Sequence, residues 1–121
     1  MLFSAADVFV SASLMETYGL TLVEAMSCGV PIVAFRTGGI PEAVPERAGI
    51  LCELLDADAF KTAIRKLRDS KEFRNELGNS GSELVADRNA KSRFAAAFGR
   101  VYEACLHPKQ IRLSEQLEGV T

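Results

Sequence analysis

Two hydrophobic rhythms divide the chain. Val8-Phe9-Val10 and Pro31-Ile32-Val33-Ala34-Phe35 are short, unbroken apolar runs. Such runs predict strands buried on both faces, as in a parallel sheet with helices on either side. Between them, Leu20 to Cys28 has helical spacing and is followed by Gly29, the residue type that most often closes a helix. Thr21 with Glu24 three residues later matches a capping box. Strand, loop, helix and strand make a βαβ unit, whose crossover is right-handed. Gly49-Ile50-Leu51-Cys52 reads as a weaker third strand, reached through a loop and a short helical turn from Gly38 to Val44.

Beyond Leu55 the spacing becomes helical. Asp56 or Asp58 can cap a helix in which Phe60, Ile64 and Leu67 share one stripe. A second helix carries Phe73, Leu77 and Leu84, and Gly78 and Gly81 should each weaken it by about 1 kcal/mol relative to Ala. A third runs from about Ala90 to Leu106, with Phe94, Phe98, Val101, Tyr102 and Cys105 recurring every three or four residues, and Pro108 ends it. The tail from Lys109 to Thr121 shows no core pattern and is expected to fray. No internal repeat and no dividing linker is present. The class is α/β, with a parallel sheet and a helical C-terminal end.

Composition narrows this further. With 121 residues, 48% hydrophobic, nine Gly and four Pro, disorder and low-complexity character are excluded. Cys28, Cys52 and Cys105 are too scattered for a disulfide framework, and the single histidine, His107, is far from Cys28 and Cys52, so no metal site is expected. The thiols read as reduced residues of a cytoplasmic protein. The apolar opening lacks a basic leader and is interrupted by Asp7, so it is a poor signal peptide. No apolar run approaches the roughly 18 residues of a membrane span. Charge is uneven: residues 1–60 carry a balance of −6 and residues 61–121 a balance of +4. A basic helical half reads first as solvated helix faces, with docking to the acidic cytoplasmic face of a membrane as the minority reading. No basic patch interleaved with aromatics supports nucleic-acid binding.

In open parallel sheets, ligands sit beyond the carboxyl ends of the strands, which directs attention to the loop Ser11 to Gly19. A glycine ahead of a helix lets the backbone approach a ligand, and the free N–H groups of the first turn favour an anion such as a diphosphate. Glu16 lies in this loop and Glu24 in the following helix. On spacing alone, Glu24 is a capping partner of Thr21 and Glu16 a solvated carboxylate. Both are equally able to accept hydrogen bonds from sugar hydroxyls, charge-assisted contacts of about 1.5–3 kcal/mol.

The ordered string ADVFVSASLMETYGLTLVEAMSCGVPIVAFRTGGIPEAV, Ala6 to Val44, closely resembles the signature region of family-4 glycosyltransferases, retaining enzymes of the GT-B fold. The resemblance rests on the two glutamates separated by seven residues, Tyr-Gly-Leu, Glu-Ala-Met-x-x-Gly-x-Pro-Ile-Val-Ala and Gly-Gly-Ile-Pro-Glu. It implies that residues 1–108 are the later half of a Rossmann-like donor domain, with 109–121 as a tail. By the same resemblance Glu24 holds the ribose hydroxyls of a nucleoside-diphosphate sugar. Glu16 sits beside the transferred sugar in a catalytic or orienting role. The backbone of Gly19, Leu20 and Thr21 contacts the diphosphate and sugar. Gly38 and Gly39 are explained equally well by turn geometry, and Glu42 by a first-turn helix position.

The resemblance also implies an upstream half. Family members have an N-terminal acceptor domain and an earlier part of the donor domain with a basic phosphate-binding pair, whereas the first basic residue here is Arg36. The expectation is therefore a chain inactive alone, needing no metal or other cofactor, whose first strand is left as an open edge prone to self-association. A truncated frame, a cloned piece and one part of a split enzyme all fit, and the acceptor, whether glycan, lipid or small molecule, stays open. The rival reading is a non-catalytic remnant or assembly module of the same fold.

Overall fold

A computed structural model of the chain describes residues 3–88 and 91–106. A short 3-10 turn, Phe3–Ala5, precedes strand β1, Phe9–Ser11. There follow α1 (Leu20–Ser27), β2 (Ile32–Phe35), α2 (Ile40–Ala43), β3 (Gly49–Cys52), α3 (Ala57–Asp69), α4 (Lys71–Arg88) and α5 (Lys91–Leu106). The elements divide after Asp87 into two compact units. The first holds the whole sheet; the second contains α5, on which Phe98, Val101, Tyr102 and Leu106 are exposed. The expected tail and the stop at Pro108 lie outside the described residues.

The three strands run parallel in the order β1-β2-β3. Phe9 aligns with Ile32 and Ser11 with Ala34, while Ile32 aligns with Gly49 and Phe35 with Cys52. Every residue of β2 is buried. Successive residues point to opposite faces, so β2 feeds two cores. Ile32 and Ala34 pack with Leu22, Ala25 and Met26 of α1 and Ile40 of α2. Val33 and Phe35 pack with Ala63 and Leu67 of α3 and Leu77 of α4. Burying each large aliphatic side chain contributes about 1.5–3 kcal/mol.

β1 departs from expectation in two ways. It begins one residue later than the apolar run suggests, and it is not buried on both faces. Val10, aligned with Val33 and so on the α3 face, is 49% exposed. Among the described residues β1 pairs only with β2. An open apolar groove of about 350 Å³ on the α3 face is lined by Phe35, Ala57, Phe60, Lys61, Ile64 and Arg65. On that face α3 and α4 cover Val33 of β2 and leave Val10 of β1 exposed.

Helix α4 closes the amino edge of the sheet. Gly78 packs on the turn that ends α1 and enters β2, close enough that a Cβ there would overlap the Gly29 carbonyl oxygen and lie 3.5 Å from Pro31 Cδ. One turn on, the corresponding Gly81 position is 3.5 Å from Ala48 Cβ, just before β3. Arg74 ties the same edge together. Its guanidinium donates to the Leu67 carbonyl at the end of α3 (2.9 Å) and stands 3.4 Å from Asp7 ahead of β1. Leu77 belongs to one core and Val85 to the other, so α4 spans both. The carboxyl edge carries the loops with the candidate chemistry.

Candidate functional site

The loop from Ala12 to Gly19 leaves the carboxyl end of β1 and enters α1 through Gly19. That glycine has φ 78°, in the left-handed region, and its position faces Leu22 Cδ1, which a Cβ would meet at 2.7 Å. An L side chain is disfavoured there on both counts. Gly19 is the N-cap, and its carbonyl accepts from the Leu22 amide at 2.9 Å. The amides of Leu20 and Thr21 therefore precede the first intrahelical donor.

This corrects the capping box. With Gly19 at the cap, Thr21 is the second helical residue and Glu24 the fifth, so neither occupies the position a box needs, and no side chain caps α1. The reason is local: the left-handed bend at Gly19 puts the cap two residues before Thr21. Thr21 and Glu24 are both exposed, and Glu24 takes part in the local structure through its backbone, accepting from the Ser27 hydroxyl at 2.6 Å.

Glu16 is half-buried and folded back on its own loop. Its Oε1 accepts from the Thr17 amide at 3.0 Å. Its Cγ lies 3.5 Å from the Cβ position of Gly19. The carboxylate stem thus stands beside the cap of α1, and the structure brings together Glu16 and the Gly19–Thr21 turn. Glu24 is placed on the second turn of the same helix. Tyr18, at 50% exposure, flanks the turn.

A further group of residues was not singled out by the sequence. The turn leaving β2 packs directly beneath the Glu16 loop. Thr37 Oγ1 donates to the Leu14 carbonyl at 3.0 Å, and the Gly39 amide donates to the Glu16 carbonyl at 3.0 Å. A Cβ at Gly38 would overlap the Glu16 carbonyl oxygen, and one at Gly39 the Thr17 carbonyl oxygen. The Gly-Gly pair was legible, but as a turn; its contact partner lies more than twenty residues away and carries no local signature. Glu42 is in the first turn of α2, as its position suggests.

Also on the carboxyl edge, Arg36 Nε stands 3.3 Å from Glu53 in an exposed pair worth at most about 1 kcal/mol. Among the described residues no group of three or more His, Cys, Asp or Glu is placed to hold a metal ion, and no helix is long and apolar enough to cross a membrane.

The site is thus a glycine-opened helix terminus with a carboxylate beside it at the carboxyl edge of a parallel sheet, and comparison with known proteins assigns the family. The model of glycosyl transferases group 1 matches residues 1–84, and the chain belongs to that family. The chain is 40% identical over 85 residues to sulfoquinovosyl transferase SQD2 of Arabidopsis thaliana, covering 67% of this chain and 17% of that one. Among solved structures it is similar to the sucrose-phosphate synthase of Thermosynechococcus elongatus, with a TM-score of 0.78, 33% identity and coverage of 89% of this chain and 27% of that one. HepE of Anabaena, solved in complex with UDP, shares the fold with a TM-score of 0.78 at 22% identity, over 85% of this chain and 29% of its own. The chain therefore spans between about a sixth and a third of the length of these relatives, and its α/β sheet with flanking helices is that of the GT-B glycosyltransferases.

Proposed function

We propose that this chain is the later half of the donor-binding domain of a retaining, family-4 glycosyltransferase that takes a nucleoside-diphosphate sugar. The observation that carries this reading is the entry to α1. Gly19 opens an uncapped helix terminus with the Glu16 side chain against it, so amide donors and a carboxylate acceptor converge at one turn. In this reading the amides of Leu20 and Thr21 meet the diphosphate, aided by the helix dipole. Glu24 accepts from the ribose hydroxyls and Glu16 orients the transferred sugar. The leaving diphosphate is stabilised electrostatically by the helix terminus and by basic groups from the upstream half, without a metal.

The reaction needs that upstream half. With only these contacts, each worth about 1–3 kcal/mol before the cost of ordering the ligand, affinity for a nucleotide sugar is on the order of millimolar, about −4 kcal/mol. The chain alone does not transfer sugar, and supplying the upstream half in trans restores binding and transfer together. The enzyme works in the cytoplasm, with the basic helices available to a membrane's cytoplasmic face. Titrating a panel of nucleotide sugars by NMR tests the reading: shifts should concentrate at Glu16 to Glu24. Binding that leaves those residues unmoved, or micromolar affinity, overturns it. A chain that binds donor but never transfers when complemented is instead a non-catalytic module of the same fold.

A further inference from the structure

We infer that Thr37, Gly38 and Gly39 are positioning residues that hold the Glu16 loop in its donor-binding shape. The inference rests on the proposed reading of Glu16 and the α1 terminus as the donor site. The loop has little else to order it: Leu14, Met15, Thr17 and Tyr18 are all exposed, and Met15 is 85% so. Two hydrogen bonds from the β2–α2 turn anchor it, Thr37 Oγ1 to the Leu14 carbonyl and the Gly39 amide to the Glu16 carbonyl, each 3.0 Å. They reach the backbone on both sides of Met15 and fix the direction in which the Glu16 side chain leaves the chain.

The glycines make that approach possible. The backbone of Gly38 and Gly39 lies where a Cβ would overlap the carbonyl oxygens of Glu16 and Thr17. Any side chain at either position lifts the loop off the turn and moves Glu16 away from Gly19. Gly39 is also the cap residue of α2, whose Ile40 and Ala43 are buried in the core. The platform is therefore seated on the rigid part of the fold, the arrangement that keeps a binding group at its working geometry. A loop held this way binds without first being ordered, which removes part of the entropic cost of association.

The test compares Thr37→Val, which keeps the shape and removes the hydroxyl donor, with Thr37→Ser, which restores it. Amide hydrogen exchange reads the loop, and NMR titration with UDP-glucose reads the site. Thr37→Val should speed exchange at the Thr17 and Gly39 amides, which the Glu16 side chain and carbonyl hold, and weaken UDP-glucose binding about fivefold, the effect of one net hydrogen bond. Thr37→Ser should return both towards the parent values. Gly39→Ala should do the same more severely; if it fails to fold, the threonine pair still decides. Unchanged exchange in Thr37→Val overturns the inference, and so does faster exchange with unaltered binding. A parent chain in which no nucleotide sugar of the panel shifts Glu16 to Glu24 instead removes the donor-site reading, and leaves the turn a structural contact only; where another member of the panel binds in place of UDP-glucose, it serves as the probe.

Discussion

Gly78 on α4 packs on the carbonyl of Gly29 at the end of α1, with no room for a Cβ on Gly78. Helix propensity alone says that Gly78→Ala stabilises α4 by about 1 kcal/mol. The contact reverses the sign, because the added methyl must push α4 off the turn that feeds β2. The expected outcome is a net loss of about 2 kcal/mol, in the range of overpacked cores. Urea unfolding measures it, and a variant more stable than the parent would contradict the packing described.

Asp56 caps α3 through a 2.8 Å hydrogen bond from the Ala59 amide. Asp56→Ala should cost about 1 kcal/mol, and Asp56→Asn only a few tenths. Equal losses in the two variants would mean that charge at the helix terminus, and not the cap bond, carries the effect.

Because neither Thr21 nor Glu24 caps α1, their replacement should leave folding alone. Thr21→Ala and Glu24→Gln are expected to shift stability by no more than about 0.5 kcal/mol, as for other exposed positions. Glu24→Gln should still weaken nucleotide-sugar binding ~10-fold in the complemented enzyme, equivalent to about 1.4 kcal/mol. Unchanged binding removes Glu24 from the site.

The thiols should separate by burial. Cys105 is exposed, Cys28 is intermediate and Cys52 is buried. Burial, with a smaller contribution from the Asp56 carboxylate, pushes the Cys52 thiol above its ordinary pKa. Its folded pKa is raised, so the associated stability is complete below the unfolded thiol's value of about 8.5 and falls as pH rises beyond it. Iodoacetamide with mass spectrometry should find Cys105 labelled first and Cys52 only on unfolding. Cys52→Ala should flatten the alkaline loss of stability.

The open side of β1 makes a prediction about assembly. Among the described residues the outer backbone edge of β1 has no strand partner, and Val10 on that strand is exposed. Such edges pair with other chains. The isolated chain should self-associate in analytical ultracentrifugation, and Val10→Lys should return it towards monomer. A parent chain that sediments as a monomer at all concentrations would show that the edge is blocked.

Much of the fold was legible because its signals are local. The apolar runs at Val8 and Pro31 located β1 and β2 within a residue, and Gly29 marked the end of α1. Asp56 was one of two proposed caps for α3. The failures came where a glycine's backbone conformation or a distant partner decides. Thr21 and Glu24 have the spacing of a capping box, but the helix begins at Leu20 with Gly19 as its cap, which leaves Thr21 inside the first turn. Gly78 read as a weak point in α4, although its missing side chain is what lets the helix approach Gly29. In the candidate site, Glu16 and Gly19 were found by motif and are close in space. The platform at Thr37 to Gly39 was not, since a residue that supports another's backbone leaves no trace in spacing.

The reach of α4 across both cores has a consequence for synthesis. Leu77 completes one face of the sheet and Val85 the other. While the chain is still on the ribosome, both faces of β2 stay partly uncovered until those residues have left the exit tunnel. The strands, made first, must wait for α4, made after all three of them, and in that interval the nascent chain presents apolar surface of the kind chaperones recognise.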